Sequence, residues 1–164
     1  MKNQMRILQG LKVAAVLAVA LSMGACANKN PLGADGAMAS AATPGSQQDF
    51  VVNVGDRIFF NSDSSELTPQ SIATLDKQAQ WLRSYAQYSF IVEGHADERG
   101  TREYNIALGA RRAQTVREYL VSRGVMAQRM HTISYGKERP VAVCNDISCW
   151  SQNRRSVTVL NQSS

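Results

Sequence analysis

The chain has 164 residues, 44% apolar and 19% charged, which is the size and composition of one globular domain with a sizeable core. Its formal net charge is +5. Three of the cations, Lys2, Arg6 and Lys12, lie in the first 25 residues, which hold no Asp or Glu, so the excess over the remainder falls to about +2. This excludes reading the overall charge as a nucleic-acid footprint.

Those three cations precede an apolar run from Val13 to Leu21. The run is nine residues long, whereas a transmembrane helix needs about twenty. A basic start, a short apolar stretch and then small residues predict a secretory signal peptide over residues 1–25. Two cleavage points fit the sequence "LSMGACANKN". One follows Ala27, at an ordinary small-x-small site. The other precedes Cys26, where "MGAC" resembles a bacterial lipoprotein signal, with Met23 in place of the usual leucine. The second gives the otherwise isolated Cys26 a role, as the lipidated first residue of the mature chain. More than one acyl chain on Cys26 gives stable membrane anchoring.

Residues 26–48 are small or polar and show no apolar period, which predicts a flexible tether. A folded domain is then expected over 49–164. "FVVNVGDRIFF" predicts a strand with a kink at Gly55. "NSDSSELTP" is turn chemistry. Thr68 and Pro69 mark a helix start, and Ile72, Leu75, Ala79 and Leu82 keep helical spacing, so a helix is expected to about Ala86. "YSFIVEG" predicts the second strand and "HADERG" its exit loop. A second helix begins near Thr101 or Arg102. Tyr104, Leu108, Val116, Tyr119 and Leu120 form its apolar face, and Gly124 ends it. "VMAQRM" reads as one helical turn, "HTISYG" as the third strand and "RRSVTVL" as the last.

Cys144 and Cys149 lie in the long loop between the last two strands. An even pair this close, in an oxidising compartment, predicts a disulfide rather than two free thiols. A zinc site would need two further ligands. The element order is β-α-β-α-β-β. Strands joined through helices favour parallel pairing, so the expected fold class is α+β, a mixed four-stranded sheet with helices packed on one face.

The stretch "EGHADERG", Glu93 to Gly100, concentrates chemistry. A metal reading takes His95 and Asp97, with Glu93 nearby, but no further His or Cys completes a shell, so no metal or cofactor is expected. A Ser-His-Asp reading lacks a nucleophile elbow. The simplest reading is a solvated loop in which Asp97 or Glu98 supports the next helix start.

A wider pattern changes that balance. "VEGHADERGTREYNIALGARRAQTVREYLVSRGV", then "ISYGKERP" and "SQNRRSVTVL", resembles the outer-membrane protein A-like (OmpA-like) domain family, and within it the peptidoglycan-associated lipoproteins. The resemblance runs from about Phe50 to Leu160. It implies an OmpA-like fold and a non-enzymatic protein that binds peptidoglycan noncovalently through the diaminopimelate of its stem peptide. It implies a lipid anchor in the outer membrane, a domain facing the periplasm, and TolB and other Tol proteins as partners. Carried onto this chain, the ligand-gripping aspartate is Asp97, the helix arginine is Arg112 and a further loop arginine is Arg99. Backbone N–H groups around Asp63 and Ser64 would hold a carboxylate. Relatives often carry Phe-x-Phe-Asp there. Here Ser62 takes the second phenylalanine's place, which removes an apolar contact to the ligand.

The chemistry of the ligand agrees. The side-chain end of diaminopimelate carries an ammonium and a carboxylate on one carbon. Asp97 suits the first. A planar guanidinium such as that of Arg112 suits the second, with two parallel N–H···O bonds. Gly94 and Gly100 allow the backbone turns of the loop. Arg111 points about 100° away around the helix, toward the surface, and His95 reads as a packing or ligand-edge residue. The grip is expected to lie partly open to water. A peptidoglycan hydrolase and a pure protein-interaction module remain the alternatives.

Overall fold

A computed structural model describes residues 42–162. The expected signal segment, Cys26 and the tether up to residue 41 lie outside the described residues. Among the described residues no helix is long and apolar enough to cross a membrane.

Chain order gives β1 (Arg57–Phe59), α1 (Pro69–Ser84), β2 (Tyr88–His95), α2 (Arg102–Ser122), β3 (Met130–Gly136), α3 (Ile147–Asn153) and β4 (Arg155–Gln162). The four strands form one sheet in the order β1-β4-β2-β3. β4 runs antiparallel to both β1 and β2, whereas β2 and β3, joined through α2, are parallel. The fold is therefore of the expected α+β class, with a mixed four-stranded sheet. Leu75, Ala79 and Leu82 of α1 and Leu108, Val116 and Leu120 of α2 bury their side chains, as do Phe90 and Val92 of β2.

The caps explain where the helices start. Thr68 Oγ1 accepts from Ser71 N–H at 3.1 Å with Pro69 in the first turn, and Thr101 Oγ1 accepts from Tyr104 N–H at 3.2 Å. Helix α1 ends at Ser84, two residues before the expected Ala86.

Three elements differ from expectation. The strand expected over 50–60 is confined to Arg57–Phe59, because Gln47–Asp49 is helical and continues as wider helical turns over Phe50–Val54. Ser46 caps this segment by accepting from Asp49 N–H. Phe50 is fully buried with its ring 4.9 Å from that of Trp81, so local capping and aromatic burial outweigh the β propensity of Val51 and Val52. The tether expected as far as residue 48 ends earlier. Tyr88 Oη donates to Gly45 O at 2.8 Å, and Trp81 Nε1–H donates to the Asp49 carboxylate at 2.8 Å. The loop expected between the last two strands carries the seven-residue helix α3.

Helix α2 crosses β2 at unusually close range. A Cβ built on Gly94 would sit 1.8 Å from Gly109 O, and one built on Gly109 would sit 2.4 Å from Ser134 Oγ. Only paired glycines permit this backbone contact. Gly94 therefore serves a helix-strand contact inside β2 rather than the expected loop turn. Gly100, at φ 85°, does provide a turn in the loop.

Candidate functional site

The loop after β2 is held by neighbours rather than left free. Asn105 Nδ2 donates to Arg99 O at 2.7 Å and to Thr101 O at 3.0 Å. Lys137 Nζ donates to Gly100 O at 2.7 Å and to Glu98 O at 3.1 Å. Ala96 N–H donates to Gly136 O at 2.8 Å. With its carbonyls engaged, the loop presents its side chains in one fixed arrangement.

Those side chains meet a second loop, after β1, in a cavity of about 240 Å³ lined by residues that include Ser62, Asp63, Asp97, Arg99, Tyr104 and Asn105. Asp97 is 7% exposed. Its Oδ1 accepts from Arg99 Nε at 3.0 Å, and its Oδ2 accepts from Arg99 Nη2 at 2.7 Å and from Arg154 Nη1 at 3.4 Å. Burial alone would raise the Asp97 carboxyl. The hydrogen bonds and charge of Arg99, with a contribution from Arg154, outweigh it and hold the carboxyl below its ordinary value.

Arg99 is exposed. It also donates through Nη2 to Ser62 Oγ at 2.8 Å, and its guanidinium lies 4.2 Å from the ring centre of Trp150. Asp63 adopts φ 54°, in the left-handed region that Asp tolerates better than most residues, and accepts a hydrogen bond from the Tyr104 hydroxyl. Ser64 contributes its carbonyl to the site's framework, as Arg112 shows.

Arg112 departs from the expected partly open placement. It is 0% exposed and does not line the cavity. Its Nε donates to Ser64 O at 2.8 Å, Nη1 to His95 O at 2.7 Å and Nη2 to Asn61 O at 3.1 Å. Burial pushes this guanidinium down to about 10, so it stays charged at neutral pH. One buried cation thus ties the end of β2 to the loop after β1. Three of its five N–H groups are committed to carbonyls.

Sequence reasoning missed Tyr104, Arg154, Asn105 and Trp150. Helical spacing sets Tyr104 on the apolar face of α2, but it is 45% exposed with its hydroxyl on Asp63. Arg154 Nε also donates to Phe60 O at 3.1 Å, joining β4 to the same corner. The signal for Arg154 was the arginine pair in "NRRS", at the start of the last strand.

His95 is 1% exposed, with Nε2 at 3.2 Å from Glu93 Oε2 and its ring centre 5.6 Å from that of Tyr135. Burial first, then the charges of Arg155 and Arg139, push it down to about 4. Neither Glu93 nor His95 lines the Asp97 cavity. Among the described residues no group of three His, Cys, Asp or Glu side chains could hold a metal ion. Cys144 and Cys149 are joined by a disulfide, with Cα atoms 5.6 Å apart.

Comparison with known proteins adds three findings. The OmpA family model matches residues 59–154. A peptidoglycan-associated lipoprotein of Rhizobium meliloti is 61% identical over 162 residues, covering 96% of this chain and 92% of the relative. One of Mesorhizobium japonicum is 62% identical over 151 residues, covering 88% and 89%. A crystal structure of the peptidoglycan-associated lipoprotein from Burkholderia pseudomallei superposes with a TM-score of 0.63 at 42% identity, covering 65% of this chain and 90% of that one. With the OmpA family model matched over residues 59–154 and relatives matched over nearly their whole length, the chain belongs to the OmpA family, among the peptidoglycan-associated lipoproteins.

Proposed function

We propose that this chain links the outer membrane to the cell wall by holding peptidoglycan noncovalently through the diaminopimelate of a stem peptide. The observation that carries this reading is the buried Asp97 carboxylate on the wall of a small polar cavity, beside the Asp63 turn. An ammonium is the natural counter-ion of such a carboxylate. The geminal carboxylate of diaminopimelate would then meet Arg99 and the backbone N–H near Asp63, next to a Ser64 N–H that in the free protein donates to Asn61 O at 3.3 Å, with the charge of the buried Arg112 behind them. Arg112 has a double role in this reading: it builds the corner and offers charge to it.

The site supports binding rather than turnover. The two hydroxyls that line the cavity with Asp97, those of Ser62 and Tyr104, are engaged with Arg99 and Asp63. Release of peptide products by the purified protein would favour the hydrolase alternative instead. The test is a pull-down on purified sacculi, with and without free diaminopimelate. Retention that free diaminopimelate abolishes supports the reading, and failure to bind sacculi overturns it in favour of a pure protein-interaction module.

The anchor is part of the same proposal. Lipidation at Cys26 would fix the chain in the outer membrane with the domain in the periplasm, and Ala27 lacks the aspartate that retains lipoproteins in the inner membrane. Cys26→Ser should give uncleaved or soluble protein. A processed, membrane-bound Cys26→Ser protein contradicts anchoring there. TolB and other Tol proteins, with a role in envelope integrity and cell division, are the partners the family membership suggests; co-purification with TolB checks that step.

A further inference from the structure

Helix α3 is seven residues long, far too short to persist alone in water. Of its residues only Cys149 and Asn153 are buried, while Ile147 is 63% exposed and the preceding Val143 is 88% exposed. Hydrophobic burial therefore does little to hold it. Three other devices do. Asp146 caps its start, accepting from Ser148 N–H at 2.7 Å. Asn153 clamps the preceding loop, with Oδ1 accepting from Val141 N–H at 2.9 Å and Nδ2 donating to Ala142 O at 2.8 Å. The disulfide ties Cys149 to Cys144. The residue after Cys149 is Trp150, whose indole N–H donates to the Glu98 carboxylate and whose ring lies under the Arg99 guanidinium.

We propose that the Cys144–Cys149 disulfide acts on the ligand site at one remove: it fixes Trp150, and Trp150 is a positioning residue that orients Arg99 beside Asp97. Arg99 needs such support. Its side chain is 44% exposed, and an exposed arginine otherwise gives up its rotamer freedom for weak, screened contacts. A tryptophan face is the best aromatic platform for a guanidinium, and the indole N–H holds the adjacent Glu98 at the same time. The disulfide thus replaces, by covalent constraint, the packing that α3 lacks. Its consequence for affinity rests on the peptidoglycan reading above; the positioning of Arg99 does not.

The experiment follows the Arg99 Nε–H signal by nitrogen-15 NMR in the full mature chain. Arg112 and Arg129 serve as internal references, since their Nε–H groups donate to Ser64 O and Tyr88 O. In Trp150→Ala, and in Cys144→Ser combined with Cys149→Ser, exchange of Arg99 Nε–H with water should rise roughly fivefold, the equivalent of one exposed cation–π contact. The two references should not change. Trp150→Phe retains a ring and should recover most of the protection. Titration with a soluble diaminopimelate-containing stem peptide should weaken by a similar factor in the first two variants. Unchanged Arg99 exchange in Trp150→Ala overturns the proposal, as does an effect of the cysteine replacements that Trp150→Ala fails to reproduce. If the cysteine variant does not fold, the two tryptophan variants decide alone. If Arg99 responds as expected but wild type does not bind the peptide, the positioning stands and the peptidoglycan reading falls.

Discussion

Asp97 and Arg99, separated by one residue, close on each other as a two-pronged ion pair, with Arg99 Nε 3.0 Å from Oδ1 and Nη2 2.7 Å from Oδ2. The free protein therefore already holds a cation on the carboxylate proposed to receive a ligand ammonium. The carboxyl lies below its ordinary value, and an unfolded aspartate titrates at about 3.9. A depressed folded value means that the Asp97 contribution is fully present above about pH 3.9 and is lost as pH falls through the lower folded value. Urea unfolding across the acid range should show this loss in wild type. Asp97→Asn should remove that part of the slope, and identical acid slopes in the two proteins would contradict the pairing.

Arg112 should be needed for the fold as well as for any ligand. Arg112→Ala leaves three carbonyls, of Asn61, Ser64 and His95, without their donor in the interior. Loss of one buried charged partner of this kind costs about 3–5 kcal/mol. Arg112→Lys should recover little, because an ammonium cannot span three fixed carbonyls as the fork does. Urea denaturation gives the difference directly. A loss below about 1 kcal/mol would mean that the corner does not depend on this guanidinium.

Gly94→Ala should be among the most damaging single changes. The added methyl would meet the Gly109 carbonyl, which is backbone and can give way only if α2 lifts off β2. Overpacking of this kind costs about 3 kcal/mol. Because Arg112 sits one turn beyond Gly109, the shift should also disorder the cavity. The same denaturation assay checks the stability, and retention of wild-type stability would contradict the close contact.

His95 gives a pH dependence of the same sign as that of Asp97, in a higher pH window. Its folded value is about 4, and it returns to about 6.5 on unfolding. Between these values the unfolded chain takes up the proton and the folded chain does not, so stability falls as pH drops from about 6.5 to about 4. The groups around the ring set this balance: Arg155 and Arg139 disfavour the charge, Glu93 accepts from Nε2 if protonated, and Tyr135 stacks beside it. The full window amounts to at most about 3 kcal/mol. His95→Gln should flatten that slope relative to wild type, as read from urea midpoints. Parallel curves would show that His95 is not held neutral.

Much of this architecture is written locally in the sequence. Thr68-Pro69 and Thr101 cap the helices as their side chains suggest, and the apolar period of α1 and α2 marks the faces that pack. The burial of Arg112 runs against the expected open placement, although its position four residues from both Leu108 and Val116 sets it on the buried stripe. The same period misplaced Tyr104, because an aromatic side chain long enough to reach Asp63 need not enter the core. Phe50–Val54 reads as a strand by propensity, and only the distant Trp81 and the Ser46 cap make it helical. Trp150 could not be assigned from its neighbours in sequence, because its partners Glu98 and Arg99 reach it only through the folding of β4 beside β2. The Asp97–Arg99 pair was within reach of the loop alone. That a second cation, Arg154, completes it depends on strand order.

Calorimetric titration with two soluble stem peptides, one carrying diaminopimelate and one carrying lysine, tests the central claim most directly. Both peptides bear the ammonium, and only the first bears the neighbouring carboxylate. Wild type should prefer the diaminopimelate peptide, and Asp97→Asn should weaken both. Loss of one partner of a desolvated charge pair costs about 2–5 kcal/mol, or roughly 30-fold to several thousand-fold in affinity. Circular dichroism and thermal unfolding establish that the variant is folded. Equal affinity of wild type for the two peptides, or undiminished binding by folded Asp97→Asn, would contradict the account.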